Sequence, residues 1–196
     1  MNPDPFDHGW WLASRSAGVV AIVALAVSVI FGLMMANGLP RRPGATRLLI
    51  SLHESTALAG LVALAVHGVA LLGDSFLHPS FLQIAVPWTI DFKPTYIALG
   101  IISGWIATIL GLSFYVRKRI GPKLWRKLHR ATILAWALSV IHTLGSGTDG
   151  HEWWLQGTMF VTGVPIVFLF LRRTVPGDPK REAATRAALP NAGIDR

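Results

Sequence analysis

The sequence predicts an all-α membrane protein: a bundle of about five transmembrane helices, N-terminus outside and C-terminus in the cytoplasm. Three observations predict it. Of the 196 residues, 52% are hydrophobic and only 14% are charged, and the mean hydropathy is +0.49. The apolar residues gather into five runs, each near the ~20 residues that cross a hydrocarbon core. Sixteen of the eighteen Lys and Arg fall on one side of those runs. A soluble domain of this length carries more charge and breaks its apolar residues into shorter periodic stretches.

The runs lie at 12–35, 48–72, 96–116, 128–144 and 154–171. The breakers Asn37-Gly38-Leu39-Pro40, Gly73-Asp74, Lys93-Pro94, Gly121-Pro122 and Gly145-Ser146-Gly147 all fall between them. Pro165 sits inside the fifth run and should kink it. The N-terminus, MNPDPFDHGWW, lacks the basic start of a signal peptide, and the first run is long for a signal core, so it reads as a retained helix. These boundaries make 1–172 the helical bundle and 173–196 a polar cytoplasmic tail that reads as disordered.

Charge sets the orientation. Arg41, Arg42 and Arg47 lie in the first loop, Arg117 to Arg130 in the third, and the remaining basic residues in the tail. The positive-inside rule places all of these in the cytoplasm. The same placement argues against nucleic acid as the partner of a chain whose net charge is +8: the basic residues flank apolar spans and follow topology. Trp10, Trp11, Trp88, Trp153 and Trp154 gather on the opposite, outer side as an aromatic belt. The second loop, 73–93, is apolar yet too short and too Pro-broken to span, and reads as an interfacial or re-entrant lid on the outer face. The chain has no cysteine, which removes disulfides, iron–sulfur clusters and thiolate metal sites from its chemistry.

The stretch around which this chemistry is organised is YVRKRIGPKLWRKLHRATILAWALSVIHTLGSG, 115–147. It carries His129 near the start of an apolar helix and His142 near its end. The second run repeats the arrangement with His53 and His67. Imidazole inside a bilayer needs a reason to be there, and axial ligation of haem iron supplies one. His53 and His67 are 14 residues apart, about 21 Å along a helix. His129 and His142 are 13 apart, about 20 Å. Both helices run from inside to outside, so His53 lies level with His129 near the cytoplasm and His67 with His142 near the outer face. Two six-coordinate haems stacked this way would carry electrons across the membrane.

One spacing resists. At about 100° per residue, 13 steps leave His129 and His142 about 140° apart on an ideal helix. A π-bulge or a kink would correct the phase, or the two histidines reach their partners from different flanks. His129, at a basic junction, also reads as a plain interfacial residue. His8, His78 and His151, all on the outer side, read as solvated loop residues. Arg15, at the outer start of the first run, is either a snorkelling interfacial arginine or a partner for haem propionates. Glu54 is the one acidic residue inside a span; it either orients a ligand or faces water.

This pattern resembles the ferric reductase-like transmembrane domain, the family of the membrane parts of NADPH oxidases and ferric reductases and of the haem subunit of a bacterial periplasmic methionine sulfoxide reductase system. The resemblance rests on the 14- and 13-residue histidine spacings, on Trp125 to His129 with His142 and Gly145 following, and on Arg15 ahead of the first long run. It implies two b-type haems, with His53 paired to His129 and His67 to His142, electron flow from cytoplasm to outer face, and a multi-pass location of the bacterial inner-membrane type. The chain departs from NADPH oxidases in having five spans rather than six, in ending 24 residues after Arg172, and in carrying Leu71 where oxidases place a further histidine. Its expected role is therefore the haem component of an oxidoreductase. Electrons would reach it from a separate flavoprotein, a reduced flavin or a quinol, and pass to an outer-face acceptor. A proton or ion pathway using the same histidines without haem is the competing reading.

Overall fold

The computed structural model of the chain describes residues 8–39, 42, 44–147 and 149–174. The tail beyond 174, Asp4, Asp7 and Arg41 lie outside the described residues. The described residues form helices joined by short connections: α1 (Gly9–Ala36), α2 (Ala45–Leu71), α3 (Phe81–Ala85), α4 (Pro94–Ile120), α5 (Pro122–His129), α6 (Thr132–Ser146) and α7 (Trp153–Thr174).

Four of them, α1, α2, α4 and α7, are long and apolar enough to cross a membrane. The fourth predicted span differs. It is split into α5 and α6, and α6 with its 15 residues reaches about 22 Å. Their junction, Arg130-Ala131, contains neither proline nor glycine. The Ala131 N–H bonds to the Leu128 carbonyl at 2.9 Å, and the Ile133 N–H to the Arg130 carbonyl at 3.3 Å. These are three-residue bonds, tighter than the helical four. The Thr132 hydroxyl donates to the His129 carbonyl at 2.9 Å and so competes with the regular ladder there. The sequence therefore forms a five-helix bundle whose fourth member is broken just after its first histidine.

Glycine and proline punctuate the other end of α5. Gly121 has φ of 91°, a conformation open to glycine at little cost, and ends α4. Pro122 follows at the first position of α5, where its missing N–H is not needed. Within α7, Pro165 leaves one backbone carbonyl without its usual partner, and the helix continues through it.

The outward surface is apolar, as a lipid-facing bundle requires. Val20, Leu58, Val62, Val69, Ile109 and Phe160 are all more than half exposed. Inside, Ala26 and Leu33 of α1 pack on Ile166 and Leu169 of α7. Nearer the outer end, Ile22 packs on Leu155 and Met159. The closest approach is between α1 and α2, where Gly60 lies against Leu25. A second tight pair is α4 with α6. The bundle is thus two helix pairs, with α7 closing against α1. In the outer loop, α3 opens with a capping box between Ser80 and Gln83. The Trp105 indole N–H ties this loop to α4 through the Ala85 carbonyl, at 2.8 Å.

Candidate haem-binding site

The two helix pairs present their histidines to each other. His53 of α2 meets His129 at the end of α5, with ring centroids 6.1 Å apart and planes at 82°. His67 of α2 meets His142 of α6 at 6.4 Å and 72°. The break at Arg130-Ala131 resolves the phase conflict: it ends α5 at His129 and restarts the helix at Thr132, so the two histidines belong to different helices. No π-bulge is involved.

α1 acts as the backstop for α2. The His67 Nδ1–H donates to the Ser14 carbonyl at 2.8 Å, and the Ser14 hydroxyl donates to the His67 carbonyl at 3.1 Å. Fourteen residues further on, the arrangement repeats. The His53 Nδ1–H donates to the Ser28 carbonyl at 2.8 Å, and the Ser28 hydroxyl to the His53 carbonyl at 3.0 Å. One turn beyond each serine stands a glycine under the ring. A Cβ on Gly18 would come within 3.0 Å of His67 Nδ1, and a Cβ on Gly32 within 3.3 Å of His53 Cε1. α4 does the same for His142. The Nδ1–H donates to the Tyr96 carbonyl at 2.9 Å, and the ring lies so close over Gly100 that no Cβ fits there.

His129 is the exception. Leu110 is the backbone acceptor that acts on its ring, but the buried Nδ1 makes no hydrogen bond of good geometry. Trp125, one turn earlier on α5, stacks on its ring at 4.8 Å and 23°, and the Trp125 N–H is held by the Ser113 hydroxyl at 3.0 Å.

The donor chemistry fits paired metal ligation. A metal-ligating imidazole commonly donates its other N–H to a carbonyl, which fixes tautomer and orientation. Three of the four rings do this through Nδ1, and none of their hydrogen bonds uses Nε2. A metal–imidazole bond is about 2 Å, so two rings on opposite sides of one metal hold their centroids about 6 Å apart. Among the described residues, no three of His, Cys, Asp and Glu gather as a bare ion would need. Paired histidines suit a metal that brings its remaining donors with it, as porphyrin iron does.

Arg15 adjoins Ser14 and so lies at the level of His67 and His142. Its Nε and Nη2 both donate to the Asp149 carboxylate at 2.5 Å, and the guanidinium lies over the Trp11 ring. Its first partner is thus a carboxylate of the α6–α7 connection, and Nη1 takes no part in that pair. Glu54 is exposed, as are His8, His78 and His151. Ser14, Ser28, Gly18, Gly32, Gly100 and Asp149 carried no part of the sequence reading of the site, and Trp125 entered it only as part of the run to His129. The first four carried a signal: Ser14 to Ser28 and Gly18 to Gly32 repeat the 14-residue interval from His53 to His67.

Fold and site together define a multi-pass helical membrane protein with histidine pairs at two depths. More particularly, the chain belongs to the ferric reductase-like family: the model of the ferric reductase like transmembrane component matches residues 17–140. That match takes in His53, His67 and His129 and ends two residues before His142. Neither curated proteins nor solved structures gave a match.

Proposed function

We propose that this protein is a two-haem b-type electron carrier of a cell membrane, bacterial inner-membrane in type. His53 and His129 hold the inner haem, and His67 and His142 the outer. Electrons enter from a cytoplasmic flavoprotein, reduced flavin or quinol and leave to an acceptor at the outer face. The observation that carries this reading is the meeting of the two histidine pairs at 6.1 and 6.4 Å. Bound between paired imidazoles, haem iron supplies a one-electron centre that needs no proton transfer or leaving group.

The chain's own residues do the rest. Ser14, Ser28 and Tyr96 orient three ligands through their carbonyls and strengthen them as donors. Nη1 of Arg15 offers an outer propionate a charged hydrogen bond, while Asp149 holds the guanidinium in place. On the inner side Lys123, Arg126, Lys127 and Arg130 are exposed around His129 and offer an acidic donor a docking face. A histidine proton relay is disfavoured by the same hydrogen bonds: each Nδ1–H of His53, His67 and His142 is committed to a fixed backbone carbonyl.

Purified protein reduced with dithionite should show a sharp low-spin b-type spectrum, with close to two haems per chain by pyridine haemochrome. A colourless folded preparation would refute the proposal. For orientation, a reporter fused after Arg196 should read cytoplasmic and a tag before Asn2 should be reached from outside. The opposite result would reverse the direction of electron flow.

A further inference from the structure

Resting on the haem reading, we propose that His129 is the exchangeable ligand of the four. The inner haem thereby has a site for a small added donor, such as carbon monoxide or imidazole, that the outer haem lacks. Phe114 is the positioning residue that makes it so.

The argument starts from the repeated cradle. Each firmly held histidine rests on a helix that offers a carbonyl and, four residues on, a glycine: Ser14 with Gly18, Ser28 with Gly32, Tyr96 with Gly100. A Cβ at any of the three would press on the imidazole, mildly at Gly18 and Gly32 and prohibitively at Gly100. On α4 the pattern continues in register. Fourteen residues after Tyr96 and Gly100 come Leu110 and Phe114. Leu110 supplies the carbonyl that His129 faces. Phe114 stands in register where the glycine should be, and we infer that its side chain takes the space that Gly100 leaves open to His142. The outcome is visible: His129 Nδ1 is buried and makes no well-formed hydrogen bond to the Leu110 carbonyl, whereas the other three are bonded at 2.8, 2.8 and 2.9 Å.

Two further features loosen it. His129 is the last residue of α5, next to the break at Arg130-Ala131. Phe114 itself is engaged elsewhere, under the Arg117 guanidinium at 3.7 Å and edge-on to Trp125 at 6.2 Å. Stacking on Trp125 restrains the His129 ring but adds no donor strength. Losing an outer hydrogen bond of this kind typically weakens metal binding about tenfold to a hundredfold. A weaker donor also stabilises ferric iron less, which raises the midpoint potential of that haem.

The test is a carbon monoxide titration of the dithionite-reduced protein in detergent, followed in the Soret band. One haem of the two should bind, and that signal should be missing from His53→Ala protein that has lost its inner haem. Phe114→Gly should weaken carbon monoxide binding about tenfold to a hundredfold and lower the midpoint potential of the inner haem alone. Gly100→Ala should do the converse, opening the outer haem by lifting His142 off the Tyr96 carbonyl. Should Phe114→Gly fail to fold, the wild-type titration and Gly100→Ala still decide. Two haems that both bind, that both stay inert, or a reactive outer haem in the wild type would overturn this inference and leave the proposed function standing. A preparation without haem would overturn both.

Discussion

On the two-haem proposal, His67→Ala should remove one haem of two, and His142→Ala the same one. His53→Ala and His129→Ala should both remove the other. This follows from the contacts: His67 and His142 meet at 6.4 Å, His53 and His129 at 6.1 Å, and each pair is drawn from different helices. Loss of one axial imidazole takes away half of the protein's hold on that iron, so the haem is lost or turns high-spin. The other level keeps both ligands and both buttressing carbonyls. Haem quantification with low-temperature spectra of the four variants checks it. Loss of the same haem from His67→Ala and His129→Ala would mean that the pairing by depth is wrong.

Gly60→Leu has a wider effect, with both haems lost together. Gly60 lies seven residues from His53 and seven from His67, at the closest approach of α2 to α1. A Cβ there would stand 2.7 Å from Leu25 Cγ and 3.2 Å from the Leu25 backbone nitrogen. The side chain could turn aside; the backbone cannot. In membranes helices associate through small residues that let backbones come close. Overpacking costs about 1–3 kcal/mol where side chains can adjust, and the cost rises where a main chain blocks the way. Prising α2 from α1 breaks the Ser14 and Ser28 contacts at once, so both levels fail. The check is haem content and thermal stability of Gly60→Leu beside Gly68→Leu, since Gly68 on the same helix has open space at its Cβ position. Equal behaviour of the two variants would show that α1–α2 contact is not what holds the histidines.

The spans and the histidine levels were legible in the sequence because hydropathy and charge act over whole helices. The break after His129 was not. It lies in the three-residue backbone bonds at Ala131 and Ile133, a local choice that leaves no mark on hydrophobic periodicity. Arg15 shows the same limit: its position at the outer level was readable, but its pairing with Asp149 joins residues 134 apart. The serine and glycine cradles stood in plain view as a 14-residue repeat in α1. Small residues in an apolar helix signify packing so often that nothing singled these out until the rings were seen lying on them.

That repeat gives α1 the character of a measuring rod. Ser14 and Ser28 receive the two histidines of α2, so on the two-haem proposal the vertical distance between the redox levels would be the length of a single uninterrupted helix, about 21 Å for 14 residues. Electron hopping falls off steeply with separation, and here separation is set by backbone pitch rather than by side chains that could drift. The consequence is an intolerance of length. Inserting one residue between Ser14 and Ser28 would turn the lower cradle about 100° away from α2, and no compensating change elsewhere in α1 would turn it back. Substitutions between the two marks are tolerated away from Gly18 and the α2 contact at Leu25; insertions and deletions cannot occur singly.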